Sequence, residues 1–396
     1  SGAMSSIANF GQDSSFAGNY ATANSNADEN GFGSFAYAPP TGFLALCSQN
    51  LPDVDIIDGT ENFNTVLYTG TGSSRSVTGV GFSPDWIWMK SRSDASGHRF
   101  YDVVRGAGKG LSSHSTGEEY IETGLTSFDS DGFSLGTQAG TNGSGTSMAA
   151  WNWLAGTAFS NDASATSVGT IDSAGEVNTT AGFSVVSYTG TGSAGTIKHG
   201  LSAAPEMLIV KNRDTARDWM VYHSALGATK RIWLNYDLAE DSGTAASATW
   251  NDTAPTSTVF SIGNNIHINE SGDNYIAYCF ANVEGYCKVG SYLGNNSSDG
   301  TFIYTGFRPA WVMIKKYNAA GQWWGIYDSV RDPDNLVKQR LWANASNAES
   351  AYSTDELDFL SNGFKPRGNY DSINGSGSSY LYLAFAEQAF KFSNAR

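Results

Sequence analysis

The chain has 396 residues, of which 15% are charged, and it carries a formal net charge of −15. Because binding to nucleic acid phosphates requires an excess of Lys and Arg, this charge argues against nucleic acid as a main partner. No apolar run approaches the roughly 18 residues that a membrane-spanning helix needs, so the sequence predicts no membrane insertion. The 45 glycines, together with many Ser, Thr and Asn residues, favour turn-rich β structure over helix bundles.

Residues 1–60 are predicted to form a separate N-terminal segment. Its first residues, Ser1-Gly-Ala-Met4, are typical of a cloning remnant and are left out of the fold reasoning. The residues that follow differ in composition from the rest of the chain. Leu51-Pro-Asp-Val-Asp55 then indicates the exit of this segment into a linker.

The rest of the chain repeats one pattern three times, in residues 61–160, 161–287 and 288–396. Each copy contains a tyrosine before a Gly-rich turn, then a short apolar strand between a proline and a lysine, then an aromatic strand. The proline-to-lysine strands are Pro84–Lys90, Pro205–Lys211 and Pro309–Lys315. Repeats of about a hundred residues have the size of small domains or sandwiches, which is larger than solenoid or propeller-blade units.

Within each copy, short apolar runs separated by Gly, Ser, Thr and Asn clusters predict antiparallel strands. In the second copy, Phe183–Tyr188 ends at a Thr-Gly-Thr-Gly turn, and Met207–Val210 is an apolar run typical of a strand buried on both faces. Residues 161–180 are either a linker or a long surface loop. The sequence therefore predicts an all-β fold of three related, tandem antiparallel β-sandwich-like units after a short β segment.

The repeated strand also predicts core positions and solvated positions. Trp86, Met207 and Trp311 follow the proline by two residues, and we expect them to be buried at equivalent places. The lysine that ends each strand is expected to be solvated where the strand leaves the core. The alternative is an anion site, because Arg92 and Arg213 follow two of these lysines.

A second repeated string suggests where a ligand binds. Arg231-Ile-Trp233-Leu-Asn235 matches Arg340-Leu-Trp342-Ala-Asn344, and the first copy has only Lys109-Gly-Leu-Ser112 there. An indole can pack on the C–H groups of a sugar while Arg and Asn bind its hydroxyl groups. The alternative is a strand whose Trp lies in the core and whose Asn ends it.

Two adjacent tryptophans add one more candidate. Trp323 and Trp324 must point to opposite faces of a strand, so one of them is expected to be exposed. We take Trp324 as the candidate. The predicted ligand-binding residues are Arg231, Trp233, Asn235, Trp324, Arg340, Trp342 and Asn344.

Catalytic and metal-binding patterns are not recognisable, so the sequence predicts no enzyme, no metal and no cofactor. The histidines form no HxxxH or HxH pair, and no nucleophile elbow is present. Glu118-Glu119 and Asp355-Glu356 are expected to be solvated loop carboxylates. Asp129-Ser-Asp131-Gly is predicted to be a turn, because the calcium loop to which it could belong lacks its terminal Glu. Three cysteines are too few for a disulfide framework and are predicted to be free thiols; they are Cys47, Cys279 and Cys287.

The N-terminal segment resembles the closing strands of SPRY domains, which are concanavalin-like β-sandwiches. The resemblance lies in Asn9-Phe-Gly-Gln12 and in Phe35-Ala-Tyr-Ala-Pro-Pro40-Thr-Gly-Phe-Leu-Ala-Leu46. It covers about 45 residues, and the insertion at 17–34 departs from the usual short spacing. The resemblance implies a β segment only, and no binding residues are carried over from it.

Residues 61–396 resemble the C-terminal regions of tail fibre or tail-associated proteins of tailed bacteriophages. The strings that carry the resemblance include Phe183-Ser-Val-Val-Ser-Tyr-Thr-Gly190, Val289-Gly-Ser-Tyr-Leu-Gly294 and Tyr304-Thr-Gly-Phe-Arg-Pro309. The resemblance implies a non-enzymatic virion protein that acts outside the cell. Its expected partners are other tail proteins and a host cell-surface glycan, and a homotrimer is one option for its assembly.

Two other functions stay open at this point. The chain could be a carbohydrate-binding module of a secreted microbial enzyme, or a tail protein that degrades polysaccharide. The second function requires two carboxylates that converge in a groove.

Overall fold

The structure, a computed structural model, describes residues 14–15, 25–51, 53–351 and 357–393. The chain divides into two units, Ser1–Val54 and Asp55–Arg396. In the first unit, Asp28 organises the described residues, since its carboxylate accepts hydrogen bonds from the backbone N–H groups of Phe32 and Ala45 and from the side chain of Asn50. A 3₁₀ helix covers Ser48–Asn50. The SPRY-like Asn9–Gln12 turn lies outside the described residues.

Copy one opens the second unit, after a 3₁₀ helix at Gly59–Glu61. Its strands are β1 Phe63–Thr69, β2 Arg75–Thr78, β3 Trp86–Ser91, β4 Arg99–Asp102, β5 Lys109–Gly110, β6 Tyr120–Ile121, β7 Leu125–Asp129, β8 Gly132–Leu135 and β9 Ser147–Trp153, with a short helix α1 at Ala139–Asn142. The large sheet has the order β1-β9-β3-β4 and the small sheet β2-β8-β7, and β5 pairs with β6.

Copy two has the widest sheet. Its sheet begins with β10 Thr157–Asn161, which lies at the end of the residues predicted for copy one. Its other strands are β11 Ser173–Asn178, β12 Phe183–Thr189, β13 Gly195–Lys198, β14 Met207–Asn212, β15 Met220–His223, β16 Lys230–Trp233, β17 Asp241–Ser242, β18 Val259–Ile262 and β19 Asn274–Phe280. Its helices are α2 Ala163–Thr166, α3 Thr244–Trp250 and α4 Ile266–Asn269. The large sheet runs β10-β11-β12-β19-β14-β15-β16-β17, and β13 pairs with β18. Residues 161–180, expected to be a linker or loop, therefore contain a helix and a strand of this sheet.

Copy three repeats the arrangement. Its strands are β20 Cys287–Leu293, β21 Ile303–Tyr304, β22 Phe307–Lys316, β23 Gly325–Asp328, β24 Gln339–Trp342, β25 Ser350–Ala351, β26 Leu357–Leu360, β27 Gly363–Pro366 and β28 Ser379–Ala389. The large sheet has the order β20-β28-β22-β23-β24-β25 and the small sheet β21-β27-β26. Neighbouring strands in these sheets are antiparallel, as in β22 with β28, so the predicted all-β, antiparallel, sandwich-like fold is confirmed. Within the described ranges, no helix has the length and apolar character that a membrane span requires.

The turn that begins at the repeated tyrosine makes equivalent hydrogen bonds in each copy, with the sequence Tyr-Thr-Gly in copies one and two and Tyr-Leu-Gly in copy three. In copy two, the Tyr188 hydroxyl donates to the carbonyl oxygen of Ile268 at 2.7 Å, and the Oδ1 of buried Asn269 accepts the N–H of Thr191 at 2.7 Å. A side chain at Gly190 would bring its Cβ to 2.2 Å from the Glu270 carbonyl oxygen, so only glycine fits this close approach. The corresponding Tyr and Asn residues are Tyr68 and Asn142 in copy one, and Tyr292 and Asn374 in copy three.

The three large sheets share one aromatic core. Trp86, Met207 and Trp311 are buried in it, each opposite the equivalent residue of the neighbouring strand, which confirms the predicted core positions. The Trp86 ring stacks on Tyr278 of copy two, with ring centroids 4.5 Å apart. Phe63 of copy one stacks on Phe385 of copy three at 5.2 Å, so the units of the tandem prediction are packed on one another rather than separate.

Each copy contacts the next through an equivalent backbone hydrogen bond. The N–H of a glutamate donates, at 2.8 Å, to the carbonyl oxygen of the residue two positions after the repeated lysine. The pairs are Glu119 with Arg213, Glu240 with Tyr317, and Glu349 with Arg92. The glutamates belong to copies one, two and three, and their partners to copies two, three and one. The contacts therefore close a head-to-tail ring within a single chain.

Arg92 and Arg213, which were considered as an anion site, form ion pairs at these contacts between copies. Arg213 Nε lies 3.0 Å from Glu119 Oε2, and Arg92 Nη2 lies 2.7 Å from Glu349 Oε1. Because both arginines are paired with glutamates of a neighbouring copy, they do not form a shared anion site. Glu119, which was expected to be solvated, is half-buried, while Glu118 is exposed.

The lysines that end the repeated strand are fully buried, so the prediction that they are solvated is wrong. Lys211 Nζ donates to the carbonyl oxygens of Asn212, at 2.8 Å, and of Thr116 in copy one, at 3.1 Å. Lys90 and Lys315 likewise donate to backbone carbonyl oxygens. Burial lowers the pKa of Lys90 to about 8, and the pKa values of Lys211 and Lys315 to about 7.

A buried ion pair links the end of β4 to the turn that follows. Arg105 Nε lies 2.6 Å from Asp102 Oδ2, both side chains are inaccessible to solvent, and the Tyr278 hydroxyl of copy two donates to the same carboxylate at 2.8 Å. Copy three repeats the pair with Asp328 and Arg331, whereas copy two has His223 and Leu226 at these positions. The fold therefore accommodates both an ionic and an uncharged version of this contact. The three cysteines are free thiols, as predicted.

Candidate ligand-binding site

Trp324 is buried, in contrast to the prediction. Its exposed fraction is 1%, and its Nε1 donates to the backbone carbonyl oxygen of Trp233 in copy two at 2.9 Å. Trp219 occupies the equivalent place in copy two and donates to Ser112 of copy one, also at 2.9 Å. His98 occupies it in copy one, with its Nε2 2.7 Å from the carbonyl oxygen of Trp342. Trp324 is therefore buried in the contact between copy three and copy two, and it cannot stack on a sugar.

The two candidate asparagines also have structural partners. Asn235 Oδ1 accepts the backbone N–H of Trp219, and Asn344 Oδ1 accepts that of Trp324, both at 2.9 Å. Asn235 Nδ2 further donates to Asp218 at 3.0 Å. These contacts fit the alternative in which the Asn ends the strand, so we remove both residues from the candidate ligand set.

An open pocket of about 410 Å³ lies where copy three meets copy two. It contains two of the predicted residues, Arg340 and Trp342, and it is lined by Asp237, Gly321, Gln322, Trp323, Arg340, Trp342 and Tyr370. We call this the copy-three pocket. Asp237 comes from copy two, and the other residues come from three separate segments of copy three.

Aromatic side chains form the walls of the copy-three pocket. The rings of Trp323 and Trp342 meet edge to face, with centroids 5.5 Å apart and an interplanar angle of 83°. Trp323 is half-buried and Tyr370 is 44% exposed, whereas Trp342 is only 9% exposed. The open aromatic surface of the pocket therefore belongs to Trp323 and Tyr370.

The buried guanidinium of Arg340 lies against this aromatic wall. Its carbon Cζ is 3.6 Å from the ring centroid of Trp342 and 5.8 Å from that of Tyr370. Contacts of this kind with ring faces are cation–π interactions. The pocket therefore combines a guanidinium group with stacking surfaces.

A polar network supports the other side of the pocket. Lys315 Nζ donates to the backbone carbonyl oxygen of Gln322, and the Gln322 side chain donates to Asp371 Oδ2 at 3.3 Å. Lys316 Nζ lies 2.8 Å from the same carboxylate. Burial lowers the pKa of Lys315, and the negative charge of Asp237 acts in the opposite direction. These contacts fix the position of Gln322, which lines the pocket.

The positions equivalent to Arg340 have different neighbours in the other two copies. In copy two, Arg231 pairs with Asp241 at 2.8 Å and lies over Trp233, 5.0 Å from its ring centroid. In copy one, Gly110 replaces the arginine, and a Cβ added there would lie 2.5 Å from an atom of the Tyr120 ring. Arg231 and Trp233 are therefore neighbours, as the sequence string suggested, but they do not line the copy-three pocket.

The polar motifs considered for catalysis or metal binding have structural partners. Burial lowers the pKa values of His199 and His223 to about 4. Asp131 accepts the backbone N–H groups of Gly79 and Gly81, as expected of a turn, and Asp129 accepts two serine hydroxyl groups. Among the residues that the structure describes, no group of three or more His, Cys, Asp and Glu side chains could hold a metal ion. Asp355-Glu356 lies outside the described residues.

Comparison with known proteins assigns the chain to one family. No curated protein matches the chain. A family profile described as "Domain of unknown function (DUF7483)" matches residues 58–389, which include copies one and two, copy three as far as residue 389, and every residue of the copy-three pocket. The match spans most of the chain, and the protein therefore belongs to the DUF7483 family.

Proposed function

We propose that the protein is a non-enzymatic component of a phage tail or tail fibre, and that it binds a glycan of the host surface through the copy-three pocket. The observation that carries the glycan-binding part is the aromatic wall of Trp323 and Tyr370 beside polar side chains. The resemblance of residues 61–396 to tail proteins supports the location on a virion, outside the cell, next to other tail proteins.

The dimensions and chemistry of the pocket suit a saccharide. Its volume of about 410 Å³ lies within the range of small-molecule sites. Aromatic rings bind the apolar faces of sugar rings, and Arg340, Gln322 and Asp237 supply donors and acceptors for hydroxyl groups. A single shallow site of this kind binds weakly, so presentation of many copies on one particle would raise the avidity.

An array of bacterial envelope glycans, including lipopolysaccharides, tests the proposal. The unchanged protein should bind at least one glycan class, and Trp323→Ala should weaken that binding by about tenfold, which corresponds to the loss of one aromatic contact. Tyr370→Ala should act in the same direction. Phe302→Ala is the matched control, because Phe302 is another copy-three aromatic with the same 44% exposure and lies outside the pocket.

Two results would contradict the proposal. One is the absence of binding to any glycan, and the other is binding that neither pocket variant weakens. Release of reducing ends from a bound polysaccharide would instead favour a polysaccharide-degrading tail protein. The melting temperature of each variant shows whether a loss of binding reflects the pocket or a loss of folding.

A further inference from the structure

Ion pairs between neighbouring copies reinforce two of the three contacts that close the ring. Between copies one and two, Arg213 Nε lies 3.0 Å from Glu119 Oε2. Between copies three and one, Arg92 Nη2 lies 2.7 Å from Glu349 Oε1. Between copies two and three, Tyr317 occupies the position that the arginine has in the other copies. The third contact therefore has an uncharged side chain where the other two have a guanidinium.

The glutamate at this third contact pairs within its own copy. Glu240 Oε1 lies 2.7 Å from Lys230 Nζ, and both residues belong to copy two. Glu119, by comparison, lies near Arg105 of its own copy, at 3.4 Å, in addition to the arginine of copy two. Tyr317 is half-buried and packs on the shared core, but a phenol ring supplies no charge to the carboxylate. The position of the glutamate thus accommodates two cations, and the contact between copies two and three provides one of them.

A second polar contact between copies follows the same pattern. The Tyr278 hydroxyl of copy two donates to Asp102 of copy one at 2.8 Å, and Trp151 Nε1 of copy one donates to Asp328 of copy three at 3.0 Å. The strand registers place Leu383 of copy three at the position of these two donors. Because a leucine side chain has no donor, the contact between copies two and three lacks this hydrogen bond as well.

The copy-three pocket lies at this same contact. The backbone N–H of Gly321 in copy three donates to the carbonyl oxygen of Asp237 in copy two at 2.9 Å, and both residues line the pocket. A ligand that fills the pocket therefore touches both copies while they are in contact. A ligand that binds one arrangement of a protein better than another shifts the population toward the first.

We infer that the ring opens at the contact between copies two and three, and that a glycan in the copy-three pocket holds this contact closed. Segments that are held by fewer polar and packing contacts open at a lower free energy than the rest of a protein. The second half of the inference rests on the proposed glycan-binding function, whereas the first half concerns the free protein and does not.

Hydrogen exchange at three equivalent backbone amides measures the opening of each contact in the free protein. The N–H groups of Glu119, Glu240 and Glu349 each donate across one contact at 2.8 Å, so their protection factors can be compared directly. Mass spectrometry with residue-level fragmentation reads them. The Glu240 amide should be roughly 10- to 100-fold less protected than the other two, as expected for the loss of polar contacts that include a charged one. Equal protection of the three amides would overturn the inference.

Two variants exchange the residues that distinguish the contacts. Tyr317→Arg gives copy three the arginine of the other copies and should raise the protection of the Glu240 amide by about tenfold, whereas Tyr317→Gln, which adds no charge, should not. Arg213→Tyr makes the reverse change and should lower the protection of the Glu119 amide while that of Glu349 stays the same. If Tyr317→Arg left Glu240 unchanged and Arg213→Tyr left Glu119 unchanged, the inference would be wrong.

The same exchange measurement tests the effect of a bound glycan, with the tightest-binding oligosaccharide of the envelope array as the probe. At about ten times its Kd, the probe should raise the protection of the Glu240 amide by roughly tenfold and leave that of Glu119 unchanged. Binding without any change at Glu240 would overturn the second half of the inference and leave the glycan-binding proposal standing. If no oligosaccharide bound, the proposed function would fall together with this second half, and the comparison in the free protein would still decide where the ring opens.

Discussion

We predict that Lys211→Met removes part of the pH dependence of stability between about pH 7 and about pH 10. Lys211 is fully buried, and its Nζ donates only to backbone carbonyl oxygens among the bonds described above. Burial lowers the pKa of its amine to about 7, whereas the charges of Asp218 and Glu118 act in the opposite direction. The same amine in the unfolded chain titrates near its ordinary value of 10.5.

The sign and size of the effect follow from proton linkage. Below about pH 7 the amine is protonated in both states, and the folded protein carries the full cost of burying the charge. Between about pH 7 and about 10.5 the unfolded chain binds one proton more than the folded protein, so the stability rises with pH by about 1.4 kcal/mol per pH unit. From about pH 7 to about pH 10, Lys211 should therefore add roughly 4 kcal/mol to the free energy of unfolding.

Urea unfolding of the unchanged protein and of Lys211→Met, at a series of pH values, measures this effect. The difference in the free energy of unfolding between the two proteins also includes the cost of leaving two carbonyl oxygens without their donor, but this cost does not vary with pH. Burial raises the pKa of Cys279 to about 12, and its effect above about pH 9 cancels because both proteins contain it. Lys338→Met, at an exposed position, controls for the loss of one positive charge.

The expected result is that the stability advantage of Lys211→Met over the unchanged protein falls as the pH rises. A difference that stayed constant within about 0.5 kcal/mol over this range would refute the reasoning, because it would mean that the buried amine titrates as it does in the unfolded chain.

Three further predictions use the same unfolding assay. Trp324→Ala should lower the free energy of unfolding by about 3–5 kcal/mol, whereas Trp323→Ala should change it by less than about 1 kcal/mol. A larger loss in Trp323→Ala than in Trp324→Ala would contradict the conclusion that Trp324 is buried and Trp323 lines the pocket. Arg105→Leu should cost about 3–5 kcal/mol because it leaves Asp102 buried without its ion-pair partner. Adding Asp102→His, which completes the copy-two combination, should recover part of that loss, and no recovery would count against the equivalence of the copies. Asn269→Ala should cost at least about 2 kcal/mol, since it leaves backbone groups of the repeated turn without partners, and a neutral effect would refute that role.

The sequence predicted the strands and the core positions because the repeated apolar runs are short and bounded by turn residues. It contained a signal for the buried lysines that was not used. Side chains two residues apart in a strand share a face, so Lys90 lies on the same side as Trp86 and Trp88, which is the side of the shared core. Solvation was inferred because the lysine follows the apolar run and the strand was expected to leave the core there, whereas the face of the strand on which the lysine lies determined its burial.

Strand β11 was missed for a different reason. Its sequence, Ser173-Ala-Gly-Glu-Val-Asn178, has one β-branched residue, Val177, and no aromatic residue, so the usual marks of a strand are weak. It pairs with β12 at a close approach, where a Cβ on Gly175 would lie 2.0 Å from the Val185 carbonyl oxygen. Small residues are therefore required by the packing, and they also make the segment resemble a linker.

Only part of the candidate site was accessible from the sequence. The Arg-x-Trp string identified Arg340 and Trp342, and the adjacent tryptophans indicated that one of the two faces outward. Which one does so depends on the contact of Trp324 with the neighbouring copy, and that contact exists only because the three copies close a ring. Asp237 and Tyr370 come from segments distant in the chain, and no local pattern connects them to the string.

The central claim is that the copy-three pocket is the glycan-binding surface. The most direct measurement is a crystal structure of the protein soaked with the tightest-binding oligosaccharide of the envelope array. The account predicts a sugar ring against Trp323 and Tyr370, with a polar substituent within hydrogen-bond distance of Arg340. A sugar bound at another surface, with the copy-three pocket occupied only by solvent, would contradict it.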